Sequence, residues 1–440
     1  MRRCVIFDLD GTLTKSEEGI FNCALEACRQ MGWPQPDAET LRRFVGPPLK
    51  YSFQHELGMT DSQADEAVRH YRARYQEVGL FENRVYPGIR RLLRALKARG
   101  VYLAIATGKP TGPSCRIAEH FGFARWMDRI VGPEDSADAG KAELIRSALP
   151  DDFDPDKDLA WMVGDRKFDI EGGQKVGIST IGVGYGYGSR EELEAAGCDV
   201  YAGTVQELYT ALLELTSAEE TREIPEPRGA FLAMEGLDGS GKSTQISALT
   251  DLMDRYGYEV VHSREPGGCP ISEKIRDLVL DPINKGMCDE TEALLYAASR
   301  AQHVRDVIRP AIERGRVLLC DRFLDSSVAY QGAGRNLGVE QVLSINDFGI
   351  HGLRPDLTIY LDIPHEVALA RRYAASTPDR MEMEKENFHA SVEKGYLHMI
   401  EKEPERFVRI DATESAEIMA EKLGREVLRR LEQMEDEADA

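Results

Sequence analysis

Short apolar runs alternate with longer segments of helical periodicity along almost the whole chain. The six clearest apolar runs span residues 5–7, 102–106, 161–163, 231–234, 317–320 and 357–361. Runs that are apolar at every position are typical of strands buried on both faces, and intervening helices connect such strands in parallel. The pattern therefore predicts an α/β fold built on parallel sheets.

Two interruptions of this pattern predict the domain boundaries. Residues 216–228 are polar and charged and include two prolines, which is the composition of a linker. Between about residues 15 and 84 the strand-like runs disappear, which predicts a helical subdomain inserted into the first α/β unit. We therefore expect a first domain over 1–215, a linker over 216–228, a second domain over 229–432 and an acidic tail over 433–440.

Composition narrows the class of protein and of partner. The 440 residues are 42% hydrophobic and carry a net charge of −21, which is typical of a globular chain and unfavourable for binding a nucleic-acid polymer or an anionic membrane. No apolar run approaches the roughly 20 residues that a membrane-spanning helix needs, and the first residues do not resemble a signal peptide. The eight cysteines show no CxxC spacing, so we expect reduced thiols. These features predict a cytoplasmic protein with small-molecule partners.

The second half carries a phosphate-binding loop. An apolar strand over 231–235 leads into the sequence GLDGSGKST, which begins at Gly236. This is the G-x-x-x-x-G-K-[ST] pattern in its strand–loop–helix context, where backbone N–H groups and a helix N-terminus bind the phosphates of ATP. Lys242 is expected to reach the outer phosphates, and the hydroxyl of Ser243 is expected to ligate Mg²⁺. The other expected ATP-binding positions are Gly236, Gly239, Ser240, Gly241 and Thr244.

Further motifs make residues 229–430 resemble the thymidylate kinases. In chain order they are Asp238 in the phosphate-binding loop, Arg264-Glu-Pro-Gly-Gly, Leu-Leu-Tyr296-Ala-Ala-Ser-Arg300, Asp321-Arg322-Phe, Ala-Tyr330-Gln331-Gly and Arg354-Pro-Asp-Leu. The resemblance implies a P-loop nucleoside monophosphate kinase domain that phosphorylates dTMP to dTDP with ATP. It also implies a homodimer.

The resemblance assigns four of these residues to the phosphate side of the site. Arg264 and Arg322 would grip the acceptor phosphate through charge-assisted hydrogen bonds. Asp238 would face the acceptor sugar and the transferred phosphate. Asp321 would lie on the Mg²⁺ side, at the carboxyl end of its strand, where open α/β sheets bind ligands.

Four others would hold the nucleoside of the acceptor. Tyr296 would stack on thymine, and Arg300 would donate a hydrogen bond to the edge of the base. Tyr330 would lie under the deoxyribose and disfavour a 2′-hydroxyl, with Gln331 in the same acceptor site.

One departure from the family concerns the arginine that stabilises the transferring phosphoryl group. Family members generally carry it inside the phosphate-binding loop or in a lid rich in arginine. Here Gly239 follows Asp238, and the lid segment 371–380 is less basic than such lids. Within that segment we expect Arg371 and Arg380 to supply the charge.

The first half carries a second set of motifs. Asp8 and Asp10 follow the 5–7 strand, and a spacing of two places both carboxylates on the same side of an extended chain. Adjacent carboxylates repel each other unless a cation is bound, so Mg²⁺ is implied. The further motifs are Thr107 after the 102–106 strand, Lys141 at the start of a helical segment, and Asp165 and Asp169 after the 161–163 strand.

These motifs make residues 1–215 resemble the haloacid-dehalogenase superfamily, including its phosphoglycolate phosphatase-like members. The resemblance implies a Rossmann-like core whose helical insertion is a cap that closes the site. It also implies Mg²⁺-dependent hydrolysis of a phosphomonoester through an aspartyl-phosphate. Asp8 would attack phosphorus, and Asp10 would protonate the leaving group and then activate water.

The remaining residues would bind phosphate and metal, as the resemblance implies. Thr107 and Lys141 would hold the phosphoryl oxygens. Asp8, Asp165 and the backbone carbonyl of Asp10 would ligate Mg²⁺, while Asp169 would support Lys141 or the metal shell.

The sequence thus predicts a bifunctional enzyme, with two alternatives open. In the first alternative, the first half is a non-catalytic ligand-binding or dimer-forming module. In the second, the kinase accepts another nucleoside monophosphate. The sequence does not identify the phosphatase substrate beyond a nucleotide or other small phosphomonoester.

Overall fold

The computed structural model describes residues 1–45, 49–134, 140–217, 228–373, 381 and 386–439. It divides into two compact units, Met1–Pro225 with Asp254–Tyr258 and Glu226–Met253 with Glu259–Ala440. Nowhere in the described ranges is a helix both long enough and apolar enough to span a bilayer.

The first unit is built on a six-stranded sheet in which every strand pair is parallel. Its strands are β1 (Arg3–Phe7), β2 (Tyr102–Ala106), β3 (Arg129–Val131), β4 (Leu159–Gly164), β5 (Ser179–Val183) and β6 (Val200–Ala202). The order across the sheet is β3-β2-β1-β4-β5-β6. Strands β2, β1 and β4 are therefore neighbours, and their carboxyl ends lie at one edge of the sheet.

Helices connect these strands, and four of them form the insertion after β1. The helices are α1 (Glu17–Gln30), α2 (Ala38–Arg42), α3 (Leu49–His55), α4 (Asp61–Arg74), α5 (Ile89–Ala98), α6 (Thr111–His120), α7 (Lys141–Ala148), α8 (Lys167–Val176), α9 (Arg190–Ala195) and α10 (Val205–Leu215). A π-helical turn, Tyr75–Gly79, extends α4, and a 3-10 turn spans Ala124–Trp126.

The insertion is a helical body with its own apolar core. Phe44, Phe53 and Tyr71 are among the side chains buried inside it. Thr14 and Val85 pair in an antiparallel bridge, so the two connections to the sheet run side by side. This is the arrangement expected of a cap hinged on two adjacent segments.

The second unit is built on a five-stranded sheet, also parallel throughout. Its strands are β7 (Phe231–Gly236), β8 (Val260–Arg264), β9 (Val317–Asp321), β10 (Leu357–Asp362) and β11 (Phe407–Asp411). The order is β11-β10-β7-β9-β8. The phosphate-binding loop after β7 therefore lies beside the residues that end β9.

The helices of the second unit include two π-helical segments, Val304–Ile308 and Val328–Gly334, and two 3-10 turns, Pro282–Asn284 and Pro404–Arg406. The α-helices are α11 (Lys242–Arg255), α12 (Pro270–Leu280), α13 (Asp289–His303), α14 (Arg309–Glu313), α15 (Leu324–Ser327), α16 (Val339–Ile350), α17 (His365–Tyr373), α18 (Glu386–Lys402) and α19 (Ala416–Asp439). The residues predicted as an acidic tail continue α19, since Leu431 on the same helix is buried and anchors its last turns.

The predicted fold class is confirmed. All six apolar runs are strands, and both sheets are parallel because those runs are buried on both faces by the connecting helices. All eight cysteines, each within the described ranges, are free thiols.

Candidate active sites

The phosphate-binding loop of the second unit lies at the end of a fully buried strand. Every residue of β7 is buried, and α11 begins at Lys242. Gly241 has a φ of 95°, a left-handed conformation that turns the backbone into the helix without a Cβ penalty. The Lys242 ammonium donates to the carbonyls of Gly236 and Leu237 at 3.1 and 3.0 Å. These contacts hold the lysine in the loop.

A cavity of about 480 Å³ opens from this loop and brings the predicted kinase residues together. On the loop side its lining includes Asp238, Gly239, Gly241, Lys242, Ser243 and Thr244. Opposite them the lining includes Arg264, Tyr296, Arg300, Asp321, Arg322, Tyr330, Gln331 and Arg371. Gly236 and Ser240 are buried residues of the loop, and the Ser240 hydroxyl lacks a hydrogen-bond partner.

Arginines line the cavity together with the phosphate-binding loop. Arg322 donates to the Asp238 carboxylate at 2.6 Å, and its backbone has a φ of 70°, unusual for a residue with a side chain. Arg264 pairs with Glu273 at 3.1 Å near the surface. Burial lowers the pKa of Lys242, and the charge of Arg322 lowers it further. The positive charges converge on a space that a polyanion would fill, which is the chemistry of phosphate binding.

Arg300 lines the same cavity but is held mainly by other protein groups. It is only 1% exposed, and its guanidinium donates to Glu265 at 2.7 Å and to the carbonyl of Phe323 at 3.0 Å. It also donates to Ser327 at 3.1 Å and to Asn346. At least four of its five N–H groups are therefore held by the protein. Arg300 lines the cavity as a buried brace, and the expected base-edge donor role has at most one N–H left to it.

The other nucleoside-side residues are positioned by a second network. Tyr330 is buried, and the Arg322 guanidinium lies 5.2 Å from its ring centroid. The Gln331 amide donates to Glu292 at 3.0 Å, and Arg335 pairs with the same carboxylate at 3.0 Å. Glu292 was not predicted; its signal is an acidic residue four positions before Tyr296 on the same helix.

Glu235 is a further buried carboxylate that sequence reasoning did not single out. It is 0% exposed and accepts hydrogen bonds from Ser326 at 2.6 Å, from Tyr396 at 2.8 Å and from the backbone of Phe323 at 2.8 Å. Burial, with nearby Asp325, raises the pKa of Glu235 to about 7. Its signal is a single acidic residue between the apolar run 231–234 and Gly236, where the phosphate-binding loop begins.

Arg371 and Asp321 are the remaining described residues predicted for the phosphoryl-transfer side of the site. Arg371 lines the cavity and donates to the carbonyl of Ala412 at 2.8 Å. Arg380 lies outside the described residues. Asp321 lies at the end of β9, and its buried Oδ1 has no hydrogen-bond partner. Asp321 and Ser243 both line the cavity, and an unpartnered carboxylate oxygen there fits a hard cation such as Mg²⁺.

In the first unit the predicted residues meet at the shared sheet edge. Lys141, the first residue of α7, contacts Asp8 and Asp169 at 2.6 Å each. Burial raises the pKa of Asp8, and the charge of Lys141 opposes that effect. Thr107 is buried after β2. The alternative in which Asp169 supports Lys141 matches this contact.

Three of the carboxylates form a group suited to a divalent cation. Oxygens of Asp8, Asp165 and Asp169 lie within 4.8 Å of one another. Oδ1 of Asp165 is buried without a hydrogen-bond partner, and burial beside Asp8 raises the pKa of Asp165 to about 8. Gly11 has a φ of 82°, and a Cβ there would lie 2.2 Å from Asp165. The loop after β1 therefore closes over a carboxylate set whose repulsion Mg²⁺ would relieve.

Two residues of this site were not predicted. Lys109 pairs with Asp10 at 3.0 Å, so the Asp10 side chain is directed to a lysine rather than into the carboxylate group. The backbone N–H of Tyr187 donates to Asp165 at 2.7 Å, and its hydroxyl accepts from the N–H of Ser16 at 2.8 Å. Lys109 lies two residues after Thr107 in sequence, and this closeness to a predicted site residue is the feature from which it could have been found.

Comparisons with known proteins divide the chain in the same way. The family model described as thymidylate kinase matches residues 234–423, and the one described as haloacid dehalogenase-like hydrolase matches residues 5–183. The thymidylate kinase of Limosilactobacillus fermentum is 49% identical over 187 residues, 42% of this chain and 87% of that protein. That of Finegoldia magna is 50% identical over 187 residues, 42% and 92% of the two chains. Among solved structures, the crystal structure of a predicted phosphatase from Clostridium acetobutylicum is 40% identical in sequence to the matched part of this chain. The match covers 49% of this chain and 99% of the phosphatase, with a TM-score of 0.44.

Proposed function

Because the second half of this chain belongs to the thymidylate kinase family and the first half to the haloacid dehalogenase-like hydrolases, we propose that one chain carries out two phosphoryl transfers. The second unit transfers the γ-phosphoryl group of ATP to dTMP. The first unit hydrolyses a small phosphomonoester through a phosphorylated Asp8. We also expect a homodimer, as the thymidylate kinase resemblance implies.

The observation that carries the kinase proposal is a cavity lined by the phosphate-binding loop with Lys242 and also by Arg264, Arg322 and Arg371. Phosphoryl transfer needs little covalent assistance, so positioning and charge neutralisation account for most of the catalysis. The loop amides and Lys242 would bind the donor phosphates, and Arg264 with Arg322 would align the acceptor phosphate. Bound Mg²⁺, held from Ser243 and Asp321, would neutralise charge on the donor phosphates.

The choice of dTMP rests on the other end of the cavity. Tyr296 and the buried Tyr330 both line the cavity; Tyr296 would offer a flat face to a base, and Tyr330 would lie beneath the sugar. Gln331, fixed by Glu292, offers a polar group at the same end. A 2′-hydroxyl would be buried there without an assigned partner, which costs about 1–3 kcal/mol. The alternative of a ribonucleoside monophosphate acceptor is therefore disfavoured.

The kinase test is an acceptor comparison on the full-length protein. With ATP and Mg²⁺ we expect dTMP to be phosphorylated with a higher kcat/KM than dUMP, dGMP or UMP. Lys242→Ala should lower that activity by at least about 100-fold, as expected on removing a charge-stabilising donor. A preference for UMP or dGMP over dTMP would refute the proposed acceptor and leave the family intact.

The phosphatase proposal rests on the contact between Asp8 and Lys141 inside the carboxylate group. The Asp8 carboxylate would attack phosphorus while Lys141 and Thr107 hold the phosphoryl oxygens. Asp10 would protonate the departing oxygen and later remove a proton from water. Mg²⁺ bound near Asp8 and Asp165 would offset the charge of the phosphoryl group.

The phosphatase test uses the same protein with p-nitrophenyl phosphate and a panel of nucleoside and sugar monophosphates. Asp8→Asn should abolish hydrolysis and leave dTMP phosphorylation unchanged, while Lys242→Ala should do the reverse. Hydrolysis that persists unchanged in Asp8→Asn would support the alternative in which the first unit is a non-catalytic module.

A further inference from the structure

The steps of hydrolysis proposed above leave one buried lysine of the first unit without an assigned role. Lys109 follows β2, two residues after Thr107, and its side chain is only 9% exposed. Its ammonium lies 3.0 Å from both carboxylate oxygens of Asp10 and donates to the hydroxyl of Tyr75 at 2.6 Å. Burying an ammonium costs several kcal/mol unless it is paired, so a lysine held here needs these two partners.

The pairing fixes the direction of the Asp10 side chain. Asp10 lies three residues after the end of β1, directly before Gly11, and its backbone forms a bridge with Thr14 at the base of the cap. In the described part of the chain, Lys109 is the side chain that hydrogen-bonds to its carboxylate. An acid that protonates a leaving group must hold its oxygen within hydrogen-bond reach of that group. The orientation of Asp10 thus depends on Lys109.

The second partner of Lys109 belongs to the cap. Tyr75 begins the π-helical turn that extends α4, and its ring stacks on Tyr71 at a centroid distance of 5.4 Å. Tyr71 is part of the apolar core of the cap. The Lys109 ammonium also lies 5.3 Å from the centroid of the Tyr75 ring, within the range of a cation–π contact. Asp10, Lys109 and Tyr75 therefore form one continuous path from the sheet edge to the cap.

We propose that Lys109 is a positioning residue that orients the Asp10 carboxyl group toward the leaving group, and that Tyr75 makes this orientation depend on the placement of the cap. The inference rests on the proposed phosphatase function. Lys109 differs in this from Lys141, which contacts the Asp8 nucleophile. Because its charge is already neutralised by Asp10 inside a buried contact, Lys109 acts through that carboxylate rather than on the substrate.

The test compares two esters that differ in their need for an acid. Nitrophenolate leaves without a proton, whereas an alkoxide such as that of glycerol phosphate requires one. The kcat/KM value reports the step in which the leaving group departs. For Lys109→Met in the full chain, we expect kcat/KM for glycerol phosphate to fall by about 100-fold or more, the size of a general-acid contribution. The kcat/KM value for p-nitrophenyl phosphate should fall by less than a few-fold.

A second readout follows from the later role of Asp10 in activating water. With p-nitrophenyl phosphate the variant should release one equivalent of nitrophenolate in a burst and then turn over slowly. Tyr75→Phe keeps the ring and loses the hydroxyl, so it should change the kcat/KM values and the burst in the same direction as Lys109→Met, by a smaller factor. Lys109→Arg should retain more activity on glycerol phosphate than Lys109→Met does. Lys97→Met, which removes a lysine paired with Asp128 at the surface of the same unit, is the matched control and should change neither.

The possible outcomes separate this inference from the proposed function. Equal losses of kcat/KM for both esters would overturn the inference, because they indicate substrate binding or a structural role. Unchanged kinetics in Lys109→Met would overturn it as well. Wild-type protein that hydrolyses neither ester would refute the proposed phosphatase function and this inference together. Tryptophan fluorescence of the first unit checks that each variant is folded.

Discussion

Replacing Arg300 tests whether this arginine braces the second unit or reads the substrate. Arg300→Ala removes a guanidinium that is 1% exposed and leaves Glu265, itself 4% exposed, without its 2.7 Å partner. Removing one member of a buried ion pair costs about 3–5 kcal/mol. The acceptors on Ser327, Asn346 and Phe323 also lose their donor. We therefore expect the second unit to lose about 3–5 kcal/mol of unfolding free energy.

Arg264 provides the matched comparison on the same cavity. Its ion pair with Glu273 joins side chains that are 55% and 40% exposed, and such pairs contribute about 0–1 kcal/mol. Arg264→Ala should therefore leave stability nearly unchanged and lower kcat/KM for dTMP.

Urea unfolding can report the two units separately. The three tryptophans, Trp33, Trp126 and Trp161, all lie in the first unit, so their fluorescence monitors that unit alone. Circular dichroism monitors both. In Arg300→Ala we expect an early transition seen by circular dichroism with an unshifted fluorescence transition. An Arg300→Ala variant with wild-type stability and a raised KM for dTMP would refute this reasoning and restore the base-edge role.

Three further predictions follow from the two sites. Because the pKa of Glu235 is raised to about 7 from 4.5, its contribution to stability is fully present below pH 4.5 and is lost as pH rises through 7. Glu235→Gln should remove this part of the pH dependence of stability, as measured by urea unfolding from pH 5 to 8. Mg²⁺ should raise the melting temperature of the first unit, followed by tryptophan fluorescence, and Asp165→Asn should abolish most of that rise, because a ligand that binds only the folded state stabilises it. Arg371→Ala should lower kcat for dTMP phosphorylation by about 1,000-fold or more with little change in KM, whereas Arg409→Ala, which removes a surface pair with Asp362, should change neither; equal losses in both variants would contradict a specific role.

Much of both sites was predictable because parallel sheets gather their functional residues. Asp8, Thr107 and Asp165 each follow an apolar strand, and β1, β2 and β4 prove to be neighbours, so three segments far apart in sequence meet at one edge. The same geometry places Asp321 and Arg322 beside the phosphate-binding loop. Strand-end residues can thus be assigned from sequence once the strands themselves are recognised.

Other features of the two sites depend on packing between elements and could not be predicted from sequence. Whether Arg300 faces the ligand or the interior is decided by acceptors from three other segments, Glu265, Phe323 and Asn346. Lys109 has its two partners, Asp10 and Tyr75, on two segments far from it in sequence. The short strand β3, with three residues that are all half-buried, lacks the continuous apolar run that identified its neighbours. Local patterns carry no information on these contacts.

The left-handed backbone of Arg322 sets stability and activity against each other at one position. A non-glycine residue with a φ of 70° costs the fold about 1–3 kcal/mol, yet this conformation directs the guanidinium to Asp238 and the cavity. Glycine or asparagine there would relax the main chain and remove the grip on phosphate. A library selected for heat resistance alone would therefore be expected to discard this arginine, and selection for turnover would be expected to retain it.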